Sequence, residues 1–165
     1  MKVQDVMTET VKTCQPDTNL AEAVAFMWGG DCGTLPVLAD DGRLVGILTD
    51  RDIAMALGTR DKPASEIAVS EVMTDQVYAC HPENDIHAAL KMMRKDKVRR
   101  LPVVSDDGVL QGILSMNDVV LHAEKANGRK TNGLNYEDVV NTFKAIFEHR
   151  HPKPEKQPAY STATP

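Results

Sequence analysis

One unit is written twice in this chain. Val6-Met7-Thr8 returns as Val72-Met73-Thr74, and the same offset of 66 residues carries Val11 onto Val77, Cys14 onto Cys80 and Pro16 onto Pro82. It carries Ala23 onto Ala89, Met27 onto Met93 and Leu35-Pro36-Val37 onto Leu101-Pro102-Val103. Asp40-Asp41-Gly42, Gly46-Ile47-Leu48 and Asp52 recur as Asp106-Asp107-Gly108, Gly112-Ile113-Leu114 and Asp118, with no gap anywhere. A fixed period of this kind means one supersecondary unit built twice. A unit of about sixty residues has little core of its own, so the copies are expected to bury surface on each other. The repeat divides the chain into residues 1–66 and 67–125.

Each copy has the same local grammar. Val11–Cys14 and Val77–Cys80 read as short strands, followed by the turn and cap signals Pro16-Asp17-Thr18 and Pro82-Glu83-Asn84. Leu20, Val24 and Met27, and in the second copy Ile86, Leu90 and Met93, fall at helical spacing. The Leu-Pro-Val strand follows, with a proline that suits a strand start or edge. Asp-Asp-Gly then signals a hairpin in which glycine takes positive φ. The return strands are Leu44–Leu48 and Leu110–Leu114, and second helices open after Thr49 and Ser115. The expected fold is α/β (α+β), two β-α-β-β-α units about a pseudo-twofold axis, with ligand grooves at the join.

The remainder, residues 126–150, reads as a loop and an amphipathic helix. Its apolar face is Tyr136, Val139, Val140, Phe143, Ile146 and Phe147, which must dock on something. Residues 151–165 carry four prolines and no apolar period and read as a disordered tail. Trp28 and most methionines sit at helical positions expected to pack in the core.

Composition narrows the function classes. The net charge of -5 argues against a generic nucleic-acid surface. The three cysteines, Cys14, Cys32 and Cys80, form no CxxC pair and suit a reducing compartment. No signal peptide or membrane-length apolar run is visible, so the expectation is a soluble cytoplasmic protein. The five histidines show no ligand spacing, and there is no P-loop or dinucleotide glycine fingerprint. No metal site, no obligatory cofactor and no catalytic set is expected, hence no enzyme.

The chemistry concentrates in Gly46-Ile47-Leu48-Thr49-Asp50-Arg51-Asp52 and Gly112-Ile113-Leu114-Ser115-Met116-Asn117-Asp118. Hydroxyl and carboxylate stand three residues apart where strand meets helix. They can bind a nucleoside, the carboxylate accepting from ribose hydroxyls and the helix amides favouring phosphate. They can equally cap the helix, which physics alone ranks first. The two roles are compatible. The glycines can relieve crowding or admit a base to the backbone.

Together these motifs resemble the tandem CBS domain family over Val3 to about Ala123. The resemblance implies two CBS units packed as a Bateman module, adenosine-containing ligands in the cleft between them, and frequent pairing into a homodimer. By position it implies that Thr49 and Asp52 serve one site, and Ser115 and Asp118 the other. It puts Val11, Cys14, Val77 and Cys80 around the base, and Leu35, Pro36, Leu101 and Pro102 on the second-strand wall. Arg51, Arg99 and Arg100 are candidates for phosphate contact. The ligand class covers AMP, ADP, ATP, NAD and S-adenosylmethionine. The resulting expectation is a stand-alone regulatory module, with an unidentified protein effector as a further partner. The alternatives are a protein-interaction dimer without nucleotide sensing, and a nucleic-acid binder. The second needs Lys91, Arg94, Lys95, Lys97, Arg99 and Arg100 on one exposed face.

Overall fold

The computed structural model of the chain describes residues 1–125 and 133–148. Its centre is two antiparallel hairpins, β1 (Thr34–Leu38) with β2 (Leu44–Thr49) and β3 (Arg100–Val104) with β4 (Leu110–Ser115). The first carries α1 (Leu20–Gly29) and α2 (Asp50–Thr59), the second α3 (Ile86–Asp96) and α4 (Met116–His122). α5 (Tyr136–Phe147) follows. The Asp-Asp-Gly turns form as the sequence predicts, with Gly42 at φ 81 and Gly108 at φ 79. The two hairpin tips meet: the Leu44 amide donates to the Gly108 carbonyl at 3.0 Å, and the Leu110 amide to that of Gly42 at 3.3 Å. Reciprocal bonds between equivalent residues are the mark of the pseudo-twofold.

The predicted first strands shrink to one residue each. The Cys14 amide donates to Pro36 at 3.1 Å and its carbonyl accepts from Leu38 at 2.9 Å; Cys80 does the same with Pro102 and Val104 at 3.0 and 2.9 Å. Val11 and Lys12 leave the ladder to line a cleft between the copies, and Pro16 and Pro82 stop extension on the other side.

The copies also trade their leading segments. Thr8 exchanges two 2.9 Å backbone bonds with Ile113, and Thr74 two of 2.9 Å with Ile47. The amide of Ile86 bonds the Met1 carbonyl at 3.1 Å, that of Leu20 the Ile67 carbonyl at 2.9 Å. Accordingly Val3 and Val6 lie in one core with Ile86, Leu90, Leu101 and Leu114, whereas Ile67 and Val69 lie in the other with Leu20, Leu35 and Leu48. Packing units and sequence repeats therefore do not share the boundary at residue 66. An isolated two-stranded hairpin is marginal, and the exchange gives each copy apolar surface from the other. "Unit one" and "unit two" below mean the packing units of the first and second hairpin.

α5 lies across α3 and α4. Leu134 is buried in the unit-two core, and Val139, Phe143 and Ile146 pack against it. The six-residue apolar face expected of this helix is split: Tyr136, Val140 and Phe147 remain exposed, and Thr142 is buried instead. Polar groups on α3 and at its C-terminal end fix this position. His87 Nε2 is 3.4 Å from Asp138 Oδ2, Arg94 Nη1 donates to Thr142 Oγ1 at 3.0 Å, and Lys97 Nζ donates to the Glu148 carbonyl at 2.5 Å. The equivalent residues of unit one are Ala21, Trp28 and Asp31, which offer none of these donors. The result is a paired contrast. Leu90 is 0% exposed under α5, while its equivalent Val24 is 44% exposed and Trp28, expected in the core, is 89% exposed. The predicted tail at 151–165 and loop at Asn127–Asn132 lie outside the described residues.

Candidate ligand site between the repeats

A cleft of about 310 Å³ opens between the units. One wall comes from the first copy, with Thr10, Val11 and Lys12 ahead of the Cys14 bridge and the segment Gly30 to Thr34 after α1. The other comes from the second hairpin and α4, with Arg100, Ile113, Ser115, Asn117 and Asp118, and Thr8 reaches across. The site is composite because the chain folds as interlocked repeats, and neither copy forms it alone.

Ser115 and Asp118 cap α4. Ser115 Oγ accepts from the Asp118 amide at 3.3 Å and donates to Asp118 Oδ2 at 2.5 Å, which also accepts from the Ser115 amide at 2.7 Å. Thr49 and Asp52 repeat the arrangement on α2, at 3.2, 2.6 and 2.9 Å. The capping role is thus realised in both motifs. It leaves each carboxylate's second oxygen outside the box. Asp118 Oδ1 accepts from Thr8 Oγ1 at 3.0 Å, whereas Asp52 Oδ1 receives no such bond among the described residues. Both carboxylates therefore keep lone pairs for a donor such as a ribose hydroxyl.

The glycines of the motifs relieve crowding. A Cβ on Gly112 would meet the Thr8 carbonyl at 2.8 Å and Met7 Sδ at 3.0 Å; one on Gly46 would meet Met73 Sδ at 2.6 Å. The repeated Val-Met-Thr segments lie directly on these positions.

Thr34, which neither the motifs nor the repeat singled out, is the residue sequence reasoning missed. It lines the cleft at 5% exposure, and its Oγ1 is buried without a hydrogen-bond partner. Such an orphan costs about 1–3 kcal/mol. Its equivalent in the second copy is Arg100, and both lie in the one cleft. An alignment of the two copies at this position, showing a hydroxyl against a guanidinium, was the available signal.

Placement of the other candidates is mixed. Val11 and Arg100 line the cleft with Ser115 and Asp118. Cys14, Leu35 and Pro36 are buried in unit one and Cys80, Leu101 and Pro102 in unit two, and none of the six lines this cleft. Cys14, Leu35, Cys80 and Leu101 belong to the two cores, while Pro36 and Pro102, next along each strand, are buried on its opposite face. Burial also raises the thiols of Cys14 and Cys80 from 9.0 to about 11. Thr49, Asp52, the half-buried Val77 and the exposed Arg51 and Arg99 occupy the repeat-equivalent places of Ser115, Asp118, Val11, Asn117 and Gly33. The basic cluster considered for nucleic acid is divided: Arg94 and Lys97 bind α5, and Arg100 faces the cleft. Among the described residues no three His, Cys, Asp or Glu side chains converge as for a metal, and no helix is long and apolar enough to cross a membrane.

Known proteins share this architecture. The CBS domain family model matches residues 3–59 and 69–125. The CBS domain-containing protein YhcV of Bacillus subtilis is 34% identical over 133 residues, covering 79% of this chain and 93% of its own. The CBS domain pair of protein MJ0100, solved in complex with 5-methylthioadenosine and S-adenosyl-L-methionine, superposes with a TM-score of 0.67 at 27% identity, over 73% of this chain and 94% of that one. CBSX2 in complex with AMP gives a TM-score of 0.63 at 28% identity, over 73% and 93%. Two copies of one β-α-β-β-α unit, interlocked about a shared cleft and matched twice by one family, place this chain in the CBS domain family as a tandem pair.

Proposed function

We propose that the chain is a non-catalytic sensor, cytoplasmic and acting by ligand linkage, which binds one adenosine-containing molecule in the cleft bearing Ser115, Asp118 and Thr34. The observation that carries this reading is the orphaned Thr34 hydroxyl, buried in the wall of a cleft whose opposite wall holds a pre-oriented carboxylate. A ligand with hydrogen-bonding groups on two sides satisfies both. A cleft near 310 Å³ lies at the small end of the range for ligand sites, about 300–1,000 Å³, which favours a mononucleoside or its phosphates over a dinucleotide. Arg100 and Lys12 supply positive charge for a phosphate or a carboxylate. The adenosine portion is supported by the relatives, whose complexes contain methylthioadenosine, S-adenosylmethionine and AMP. Thr49, Asp52, Arg51 and Arg99 offer a second, more cationic site of the same design. The three free cysteines fit a reducing cytoplasm.

Calorimetric titration of nucleotide-free protein with AMP, ADP, ATP, NAD and S-adenosylmethionine tests this reading. Saturable binding of one of them, abolished by Asp118→Ala and kept in Asp52→Ala, is the expected result. Absence of heat and of thermal stabilisation with all five would end the sensor reading and leave the two motifs as helix caps.

A further inference from the structure

Of the three cysteines, Cys14 and Cys80 are buried and Cys32 is partly exposed. Burial raises the first two thiols from 9.0 to about 11, which keeps them protonated and inert. Cys32 stands at the chain reversal after α1, where its amide donates to the Met27 carbonyl at 3.0 Å, and it lines the cleft between the units. Its equivalent in the second copy is Val98, which packs against the unit-two core, so a nucleophile stands where the other copy has a plain apolar side chain. A cysteine alone makes no site. Two residues on, Thr34 lines the same cleft with a buried hydroxyl that has no partner, and this calls for a ligand independently of the thiol. The cleft also carries ionic groups of both signs, Lys12 and Arg100 against Asp31 and Asp118. Lys12 and Cys32 converge on Gly30: a Cβ there would meet Lys12 Cγ at 2.7 Å and Cys32 Sγ at 3.3 Å.

We infer that Cys32 is a site of reversible S-thiolation, its reactant a small zwitterionic disulfide of the kind formed by a thiol-bearing amino acid or peptide. The Cys32 thiolate attacks one sulfur of that disulfide. The S–S bond breaks, a mixed disulfide forms on Cys32, and the other half leaves as a thiolate that takes up a proton. The incoming disulfide is itself the oxidant, and free small thiol reverses the step. Charge decides what enters and where it lies. Carboxylates meet Lys12 and Arg100, an ammonium meets Asp31 and Asp118, and Thr34 Oγ1 gains the hydrogen bond it lacks. Cys32 also lines the groove between α1 and α2, but that groove sets Val24, Trp28 and Ile53 beside Asp31 and Asp50, with no cation among its described residues to pair a carboxylate. The adduct therefore lies in the cleft. One consequence rests on the adenosine reading: the adduct shuts the nucleotide out, so oxidation of the small-thiol pool empties the sensor and reduction restores it.

The test treats the full native chain with oxidised glutathione and, separately, with hydroxyethyl disulfide, which carries no charge. Mass spectrometry of the digested protein is expected to find the adduct on Cys32, removable by dithiothreitol, with Cys14 and Cys80 unmodified until denaturant is added. Cys32→Ser takes no adduct, and neither does Cys32→Val, a second variant with the residue of the other copy. Lys12→Gln and Arg100→Gln each slow the reaction with oxidised glutathione by about tenfold, the worth of a charged hydrogen bond, and leave that with hydroxyethyl disulfide unchanged. No adduct at Cys32 overturns the proposal. So do equal effects of the two substitutions on both disulfides, the mark of an exposed thiol with no site around it. Calorimetric titration of the modified chain with the five adenosine compounds then reads the consequence. Binding lost on modification and regained with dithiothreitol is expected, and binding untouched by the adduct overturns its placement in the cleft. If the unmodified chain binds none of the five, the adenosine reading fails alone and the paired rates still decide the thiolation.

Discussion

At the scale of single residues, Thr34 separates fold from function. Its hydroxyl is buried and unpartnered, so Thr34→Val removes a desolvated polar group without opening a cavity. The apo protein is expected to become more stable, by about 1 kcal/mol, while affinity for the ligand falls about tenfold through the lost hydrogen bond. Thermal denaturation and calorimetry on the same variant check the pair of effects, and a loss of stability with unchanged affinity would refute the assignment. Cys14 and Cys80 give a second prediction. Burial raises each thiol from 9.0 to about 11 in the folded chain. The unfolded chain therefore ionises first as pH rises. Their contribution to stability is complete below pH 9.0 and is lost between there and about 11. Unfolding midpoints measured across that window are expected to fall, and Cys14→Ala with Cys80→Ala to flatten the decline. The sequence disclosed the cap residues because an acid three positions after a hydroxyl is a local signal. It did not separate Cys14 and Leu35, which are core, from Val11, which is cleft, because all three are apolar and only tertiary packing distinguishes them.

At the scale of elements, the hairpins and their glycines were legible because turn chemistry is local: Gly42 and Gly108 adopt the positive φ that Asp-Asp-Gly announces. The exchange of leading segments was not legible. Val3 and Val69 have the same neighbours in sequence whichever copy they pack against, and a repeat is silent on that choice. The first strands failed for a related reason, since Val11 has β propensity but a tertiary cleft claims it. Exchange predicts that damage crosses the repeat boundary. Val3→Ala, within the first copy, is expected to cost about 1–3 kcal/mol and to speed hydrogen exchange at Ile113 in unit two, leaving Ile47 protected. Val69→Ala should do the reverse. Exchange read by NMR decides, and loss of protection at Ile47 in Val3→Ala would contradict the cores as described. The two motif glycines are also unequal. Gly112→Ala drives a methyl against the backbone carbonyl of Thr8 at 2.8 Å, whereas Gly46→Ala meets first the flexible end of Met73. Denaturant titration should find Gly112→Ala the more destabilising.

At the scale of the whole molecule, the ligand cleft shares a wall with an apolar groove between α1 and α2. Asp31, Cys32 and Gly33 line the 310 Å³ cleft on one side and the 390 Å³ groove, with Val24, Trp28 and Ile53, on the other. Asp31 stands there in a left-handed conformation at φ 47, and the amide of Asp50, on the groove rim, bonds the Gly33 carbonyl at 3.1 Å. A molecule in the cleft bears on this segment from one side, and Trp28 meets it from the other. Occupancy of the cleft is therefore expected to change the emission of Trp28, the single tryptophan, saturably and with the same midpoint as the calorimetric titration. Asp118→Ala, which removes the carboxylate from the far wall of the cleft, is expected to abolish the change together with the heat. Emission that stays constant while the calorimeter records saturation would show that the wall transmits nothing, and the cleft and the groove would then be independent features of one scaffold.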